Sequence, residues 1–395
     1  IGAMSGTSHD ATDVSIIEIK DKVNLLHFYT HKFSTTLKEK ISNQIEFNQS
    51  SLSDLGILDK EIGTSFSNAI KKAIEKSKTK ISDIACIAIS GQTIRHEIHK
   101  KHSFSMQIGD PNIVASKISV PVISDFRNMH IALGGQGAPL VPEFHQEIFY
   151  QKNISKIILN IGGIANYSFV KNKKSLWGSD VGPGNALMDA YCRKFLNIPF
   201  DNNGSLAAKG TVINSELKKL LNHRFFKSKF PKSTGKEIFN LTMLSKTFLN
   251  KNPSNVLATL SEFTAQSVSM AINKNKHVVK DIIVCGGGAR NKDLLRRISN
   301  LTNTNVKLSD TYGYNLHAVE SMAFAWLGYK RLNLMPIKIQ TGNNKFNKGL
   351  VNSLSNNLFS DTSVSKLVFK FCDIGSADGS FTFTGSVCLF PTLNS

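Results

Sequence analysis

Apolar positions fall into short runs bounded by glycine and small polar residues, alternating with segments of helical spacing. Residues 1–20 read as strand, turn and strand. Small residues at 4–8 form the turn, and Val14, Ile16 and Ile17 carry the alternation. Phe66, Ala69, Ile70 and Ala73 recur at helical spacing and predict a surface helix over 65–76. The apolar runs at 84–89, ending at Gly91, and at 120–124, ending at Asp125, predict buried strands that each deliver a loop. Residues 156–160, Gly162-Gly163 and 167–170 repeat the opening pattern. Helices are expected at 185–195, 259–272 and 320–332, and a buried strand at 281–285 runs into Gly286-Gly287-Gly288. This alternation argues for an α/β fold with mixed sheets, and the echo of the first hairpin in the second argues for internal duplication. Two domains are expected, over 1–150 and 151–346, closely apposed across a cleft and followed by an atypical tail over 347–395.

Composition narrows the function classes. A chain of 395 residues with 41% apolar and 19% charged residues folds, and it is long enough for two cores. No apolar run approaches the roughly 20 residues of a membrane span. Five cysteines, odd in number and far apart, argue against a disulfide framework or a zinc site and for a reducing cytosol. The balance of 48 basic against 29 acidic residues gives +19. The basic residues are scattered and no nucleic-acid motif accompanies them, so no nucleic-acid partner is expected. Such a surface still attracts small anions.

Three loops carry candidate chemistry. In the first, Met4-Ser5-Gly6-Thr7-Ser8-His9-Asp10-Ala11-Thr12-Asp13, small residues let backbone amides approach a phosphate, and Asp10 or Asp13 can hold hydrated magnesium. The pattern of a P-loop is absent. The second runs through Asn160, Gly162 and Gly163 and on to Asp180 before Gly182-Pro183-Gly184. Asp180 is either a helix-capping partner or a base held against a substrate, and a helix start at Asn185 would present free amides to an anion. In the third, the three glycines 286–288 lose much chain entropy on ordering, a cost that fits backbone lying flat against a planar group such as adenine. Between these loops lie Gln92, Thr93, Arg95 and His96, then Asp125, Arg127 and Gln136. They suit a sugar with an acidic substituent, which Arg95 or Arg127 could grip bidentately.

Joined, a phosphate hairpin near the start, a second hairpin midway and a later triple-glycine loop resemble the nucleotide cradle of actin-like ATPases and sugar kinases. That superfamily has a two-domain fold, a duplicated RNase H-like unit of mixed sheets flanked by helices. The likeness then narrows. Residues 1–13, 91–96, 107–111, 125–146, 159–166, 180–189, 231–239, 285–291 and 320–327 resemble the anhydro-N-acetylmuramic acid kinase family. The most specific strings are Gly134-Gly135-Gln136-Gly137-Ala138-Pro139 with Phe144-His145-Gln146, and Pro231-Lys232-Ser233-Thr234-Gly235.

The resemblance implies a cytoplasmic enzyme that opens the 1,6-anhydro bridge of its sugar and phosphorylates the 6-oxygen with ATP and magnesium. By position it makes Asp180 the catalytic base. Gly6, Thr7, Ser8, His9, Asp10, Ala11, Thr12 and Asp13 become the phosphate loop, with Asp10 reaching the metal through water. Asn160, Gly162, Gly163, Gly286, Gly287, Gly288 and Asn291 complete the nucleotide cradle, and Glu320 faces the sugar.

The chain departs from the family at Ala11, where glycine is usual, and at Ser90, where histidine is usual. Two other readings stay open: an actin-like kinase for another sugar, and a non-catalytic ATP-binding switch. A homodimer is also open. Residues are expected to precede Ile1, with no signal peptide. Residues 351–395 are expected to be a frame-shifted or appended segment that packs poorly, the alternative being a strand-forming extension.

Overall fold

The computed structural model describes residues 1–355 apart from 7, 48–50, 100, 172–175, 236–237, 274–278, 343–344 and 350–352. Thr7 and most of the tail therefore lie outside the described residues. In the first half, β1 (Gly2–Met4), β2 (Ala11–Ile19) and β3 (Val23–Lys32) form successive hairpins. They are followed by β4 (Ile87–Ile89), the hairpin of β5 (Gln92–Glu97) and β6 (Phe104–Ile108), and β7 (Val122–Ser124). The second half repeats this with β8 (Lys156–Ile161), β9 (Ile164–Val170), β10 (Leu176–Pro183), β11 (Asp281–Cys285) and β12 (Asn305–Leu308). A hairpin of β13 (Ile337–Gly342) and β14 (Lys345–Gly349) follows, then β15 (Ser353–Ser355), which pairs antiparallel with β7.

The two main sheets share one topology. The first runs β3-β2-β1-β4-β7, with β15 added at its edge, and the second runs β10-β9-β8-β11-β12. In each, the first three strands are antiparallel neighbours and the last two are parallel additions beside the first. Parallel neighbours need crossovers, and helices supply them. Leu52–Ser77 lies between β3 and β4, Pro111–Ile118 between β4 and β7, Pro253–Asn273 between β10 and β11, and Lys292–Thr302 between β11 and β12. This is the duplicated RNase H-like arrangement of the actin-like fold. The expected helix at 65–76 is the second half of Leu52–Ser77, and it is more than a surface element: Phe66, Ala69, Ile70 and Ala73 are fully buried.

Two helices cross between the halves. Pro142–Phe149 packs against β9 and β10 of the second sheet, whereas Val319–Leu332 lies on β1, β2 and β4 of the first. Their apolar faces meet in one core that also holds Met4, Ala88 and Ile123 from the first sheet and Ile158 and Ile283 from the second. The approach of Val319–Leu332 to β1 is so close that a Cβ at Gly2 would stand 1.9 Å from the Ser321 carbonyl oxygen. The Ser15 and Ser321 hydroxyls lie 2.6 Å apart across the same contact. This docking delivers Glu320, near the start of the helix, to the region between the two hairpin loops.

Candidate active site

Asp180 sits in β10 at a bulge, where the register with β9 slips between Asp180 and Gly182. A bulge re-aims a side chain at the edge of regular pairing. The residue is 5% exposed. Its Oδ2 accepts from the Ser233 hydroxyl at 3.2 Å and from the Thr234 amide at 2.8 Å. The helix after the Gly-Pro-Gly turn, Ala186–Tyr191, has Asn185 and not Asp180 at its N-cap position.

The segment carrying Ser233 and Thr234 is docked firmly. The Lys232 amide donates to Ser179 Oγ at 2.9 Å, and the Asp180 amide donates to the Lys232 carbonyl at 3.0 Å. The Lys232 ammonium donates to the Phe225 carbonyl at 2.7 Å and lies over the rings of Phe225 and Phe230, at 3.9 and 4.7 Å from their centroids. A cation enclosed by aromatic faces is held electrostatically as well as by contact. The family-specific lysine is therefore an anchor for the loop, a role the string alone did not reveal.

Across from Asp180, helix Phe126–Ala132 presents Arg127. Its Nη1 donates to the Gly137 carbonyl at 2.9 Å, while the Gly137 amide donates to His130 Nδ1 at 2.9 Å. Gly137 of the glycine-rich loop is thus held through both its carbonyl and its amide. Burial works against the Arg127 charge, and the carboxylates of Glu320 and Asp180 support it. Its Nε is a buried donor with no partner among the described residues. Burial and the Arg127 charge hold His130 down at about 4, so it is neutral near pH 7. Arg95 is otherwise engaged. Its guanidinium donates to the carbonyls of Ile45 and Ile94 at 2.7 and 3.1 Å, which leaves Arg127 as the guanidinium facing the carboxylates.

The neighbouring polar residues tie loops together. Gln92 Oε1 accepts from the Ser5 hydroxyl at 2.6 Å, Thr93 Oγ1 accepts from Gln107 at 3.2 Å, and Gln136 donates to the Pro231 carbonyl at 3.4 Å. Asp125 holds Asn128 at 3.0 Å, and burial raises its carboxyl above the ordinary range.

Sheet register creates a row of polar groups that the sequence did not expose. Asp180 stands opposite Asn166, Asn166 opposite Asn160, and Asn160 opposite Cys285. Directly opposed residues share a face, so Asn166 lies beside Asp180 and Asn160, and its Oδ1 is a buried acceptor without a partner among the described residues. A polar residue inside a buried strand was the available signal. Asn160 is the hub: it hydrogen-bonds Glu320, and a Cβ at Gly286 would stand 2.3 Å from its Oδ1. Burial raises the Glu320 carboxyl, while Arg127 and that hydrogen bond pull it back. Asp13 is raised to about 6, first by burial and then by the nearby Glu320 and Asp10 charges, against a 2.6 Å hydrogen bond from Thr30. The first hairpin loop, Glu320 and the Asn160–Gly286 junction thus form one neighbourhood.

One nucleotide-cradle expectation needs correction, and two others have a structural role in the fold. The amides of Gly184, Asn185 and Ala186 are not free for an anion, because they donate to the carbonyls of Gly162 and Gly163 at 2.9 to 3.1 Å. Asn291 caps helix Lys292–Thr302 by accepting from the Leu294 amide at 3.0 Å. Of the three consecutive glycines, Gly286 and Gly288 are dictated by packing against Asn160 and Ile161. Only Gly287 has open space where a side chain would go. Gly6 is open in the same way, between Ser5 and the exposed Ser8–Asp10 pair at 2.5 Å.

The family departures are accommodated locally. Ala11 begins β2 opposite Lys32 and has none of the positive φ that would demand glycine. Ser90 Oγ accepts from the Ser5 amide at 3.2 Å and donates to the Gly91 carbonyl at 2.7 Å, joining the first loop to the next.

Comparison with known proteins agrees with this geometry. The family model for anhydro-N-acetylmuramic acid kinase matches residues 1–349. A protein of that name from Gamma-proteobacterium EBAC31A08 is 57% identical over 355 residues, covering 90% of this chain and 97% of the relative. Another, from Haemophilus influenzae, is 36% identical over 354 residues, covering 86% and 93%. A duplicated sheet topology, a buried acid opposite a guanidinium and this match over both halves together establish that the chain belongs to the anhydro-N-acetylmuramic acid kinase family.

Proposed function

We propose that the chain opens 1,6-anhydro-N-acetylmuramic acid with water and transfers the γ-phosphoryl group of ATP to the freed 6-oxygen, with Asp180 as general base. Water attacks the anomeric carbon and gives its proton to the Asp180 carboxylate. The bond from that carbon to the bridging oxygen breaks with its electron pair on oxygen. This oxygen attacks the γ-phosphorus in line, and ADP leaves. The phosphoryl group does what a second carboxylic acid does in ordinary glycosidases, so one carboxylate suffices. The product, N-acetylmuramic acid 6-phosphate, returns cell-wall sugar to metabolism, and the use of ATP puts the enzyme in the cytoplasm.

The observation that carries this reading is the Asp180 carboxylate, buried yet held by two donors and facing Arg127. Two donors to the carboxylate offset part of the cost of burying its charge. The unpartnered Arg127 Nε suits the acidic substituent of the sugar. Among the described residues no three carboxylates or imidazoles cluster as a metal site, so the support for magnesium in the first loop is the Glu320 and Asp10 charges that add to the effect of burial on Asp13. Asp10 and Asp13 would hold it, and it would neutralise charge on the transferred phosphoryl group.

Mass spectrometry of the product formed in heavy-oxygen water tests hydrolysis and transfer together: label belongs on the anomeric hydroxyl of the phosphorylated sugar. Asp180→Asn should lower turnover at least about a hundredfold while ATP affinity stays within about twofold. Near-normal turnover by Asp180→Asn would remove Asp180 as the base.

A further inference from the structure

We propose that His96 is a positioning residue that acts on Asp180 through the Ser233 hydroxyl, which rests on the reading of Asp180 as base. His96 lies in β5 of the first half, and Ser233 lies in the loop docked on β10 of the second. His96 Nδ1 is 3.0 Å from Ser105 Oγ and His96 Nε2 is 3.2 Å from Ser233 Oγ. Ser233 Oγ in turn donates to Asp180 Oδ2 at 3.2 Å. The chain begins at Gln107, whose amide donates to Ser105 Oγ at 2.6 Å.

Donor and acceptor capacity fixes every direction. A carboxylate only accepts, so Ser233 gives its one proton to Asp180 and accepts from His96 Nε2. A neutral ring with its proton on Nε2 then accepts at Nδ1 from Ser105, which itself accepts from Gln107. A single tautomer of a neutral His96 satisfies all four links. The ring is kept neutral near pH 7 by burial, with the Arg127 and His130 side chains of helix Phe126–Ala132 adding to the effect. It is also fixed in place, since a Cβ at Gly137 would stand 3.1 Å from His96 Cε1. The Ser233 hydroxyl could otherwise rotate away and leave Asp180 Oδ2 with one donor fewer. His96 removes that freedom, so the first half of the chain sets the hydrogen bonding of a carboxylate in the second.

The test compares His96→Phe, His96→Gln, Ser233→Ala and the His96→Phe/Ser233→Ala double variant, with Asp180→Asn measured alongside. Loss of a hydrogen bond to a charged group corresponds to a fall in kcat of roughly tenfold to a hundredfold. Both His96→Phe and Ser233→Ala should show that fall with the KM values for sugar and ATP unchanged. The acidic limb of the kcat profile should move to higher pH, because a carboxylate with fewer donors holds its proton more tightly. His96→Gln keeps a donor toward Ser233 and should recover most of the activity. The double variant should be within about twofold of Ser233→Ala, since one pathway is broken twice.

Losses that multiply, an acidic limb that stays in place, or a raised sugar KM at unchanged kcat in His96→Phe would each overturn the proposal. If His96→Phe fails to fold, Ser233→Ala and His96→Gln still carry the limb measurement. An inactive Asp180→Asn beside wild-type His96→Phe and Ser233→Ala would sink the positioning role alone, whereas an active Asp180→Asn would sink the base reading beneath it.

Discussion

The contrast between Gly286 and Gly287 predicts opposite outcomes from the same added methyl group. Gly286 has φ +80°, and its Cβ would stand 2.3 Å from Asn160 Oδ1 and 2.8 Å from the Ile161 carbonyl oxygen. With ψ at 173° the backbone lies in a region populated essentially only by glycine, and a side chain there costs about 1–3 kcal/mol. Relieving the overlap costs about 1–3 kcal/mol more, because the Ile161 carbonyl belongs to a central strand of the second sheet and cannot simply rotate. Gly286→Ala should therefore lose about 2–6 kcal/mol, read as a lower urea midpoint at unchanged slope. It should also push Asn160 off Glu320. Gly287 meets open space, so Gly287→Ala should leave stability within about 0.5 kcal/mol. If ATP lies against that open backbone, the same substitution raises the KM for ATP with the fold intact. A Gly286→Ala protein as stable as the parent, or a Gly287→Ala protein equally damaged, would refute the assignment of the first glycine to packing and the second to the ligand.

Asp13 is raised from 3.8 to about 6, so the folded chain holds this proton more tightly than the unfolded one. The stability it lends is fully present below pH 4 and is lost as pH rises through about 6. Asp13→Asn should flatten urea midpoints over that window, and an unchanged slope would count against the carboxylate cluster. Arg297 pairs with Asp293 at 2.7 Å and Glu262 at 2.8 Å, where the Asp293 side chain is 1% exposed. Arg297→Leu should cost about 3–5 kcal/mol at pH 7. Asp293 is held below its ordinary value by its arginines despite burial, so that loss should shrink as acid protonates it, and a pH-independent loss would refute the pairing.

The strands and loops were legible in the sequence because each is set by neighbours close along the chain. Buried strands such as β8 and β11 are built on apolar runs, at 157–159 and 282–285, and their loops announce themselves by glycine. The duplication was legible for the same reason, since each half begins with the same hairpin. Asp180 stood out as an acid among small residues, but two readings of it stayed open until its partners at 233 and 234 were known. The strings around Lys232 and Gly137 marked a family without saying what the residues do. One proved to be an anchor in a ring of phenylalanines, and the other a glycine held through both its amide and its carbonyl.

What only the tertiary structure decided are the meetings between residues far apart in the chain. The row of Asp180, Asn166 and Asn160 exists because strand register opposes those positions. Glu320 reaches Asn160 because its helix crosses to the first sheet, and His96 reaches Ser233 because a hairpin of one half abuts a loop of the other. Two of the three glycines read as a ligand surface turned out to face neighbouring strands. Local pattern records which face of an element is buried and is silent about what it is buried against. That second quantity depends on register and helix docking, which are settled only when the whole core packs.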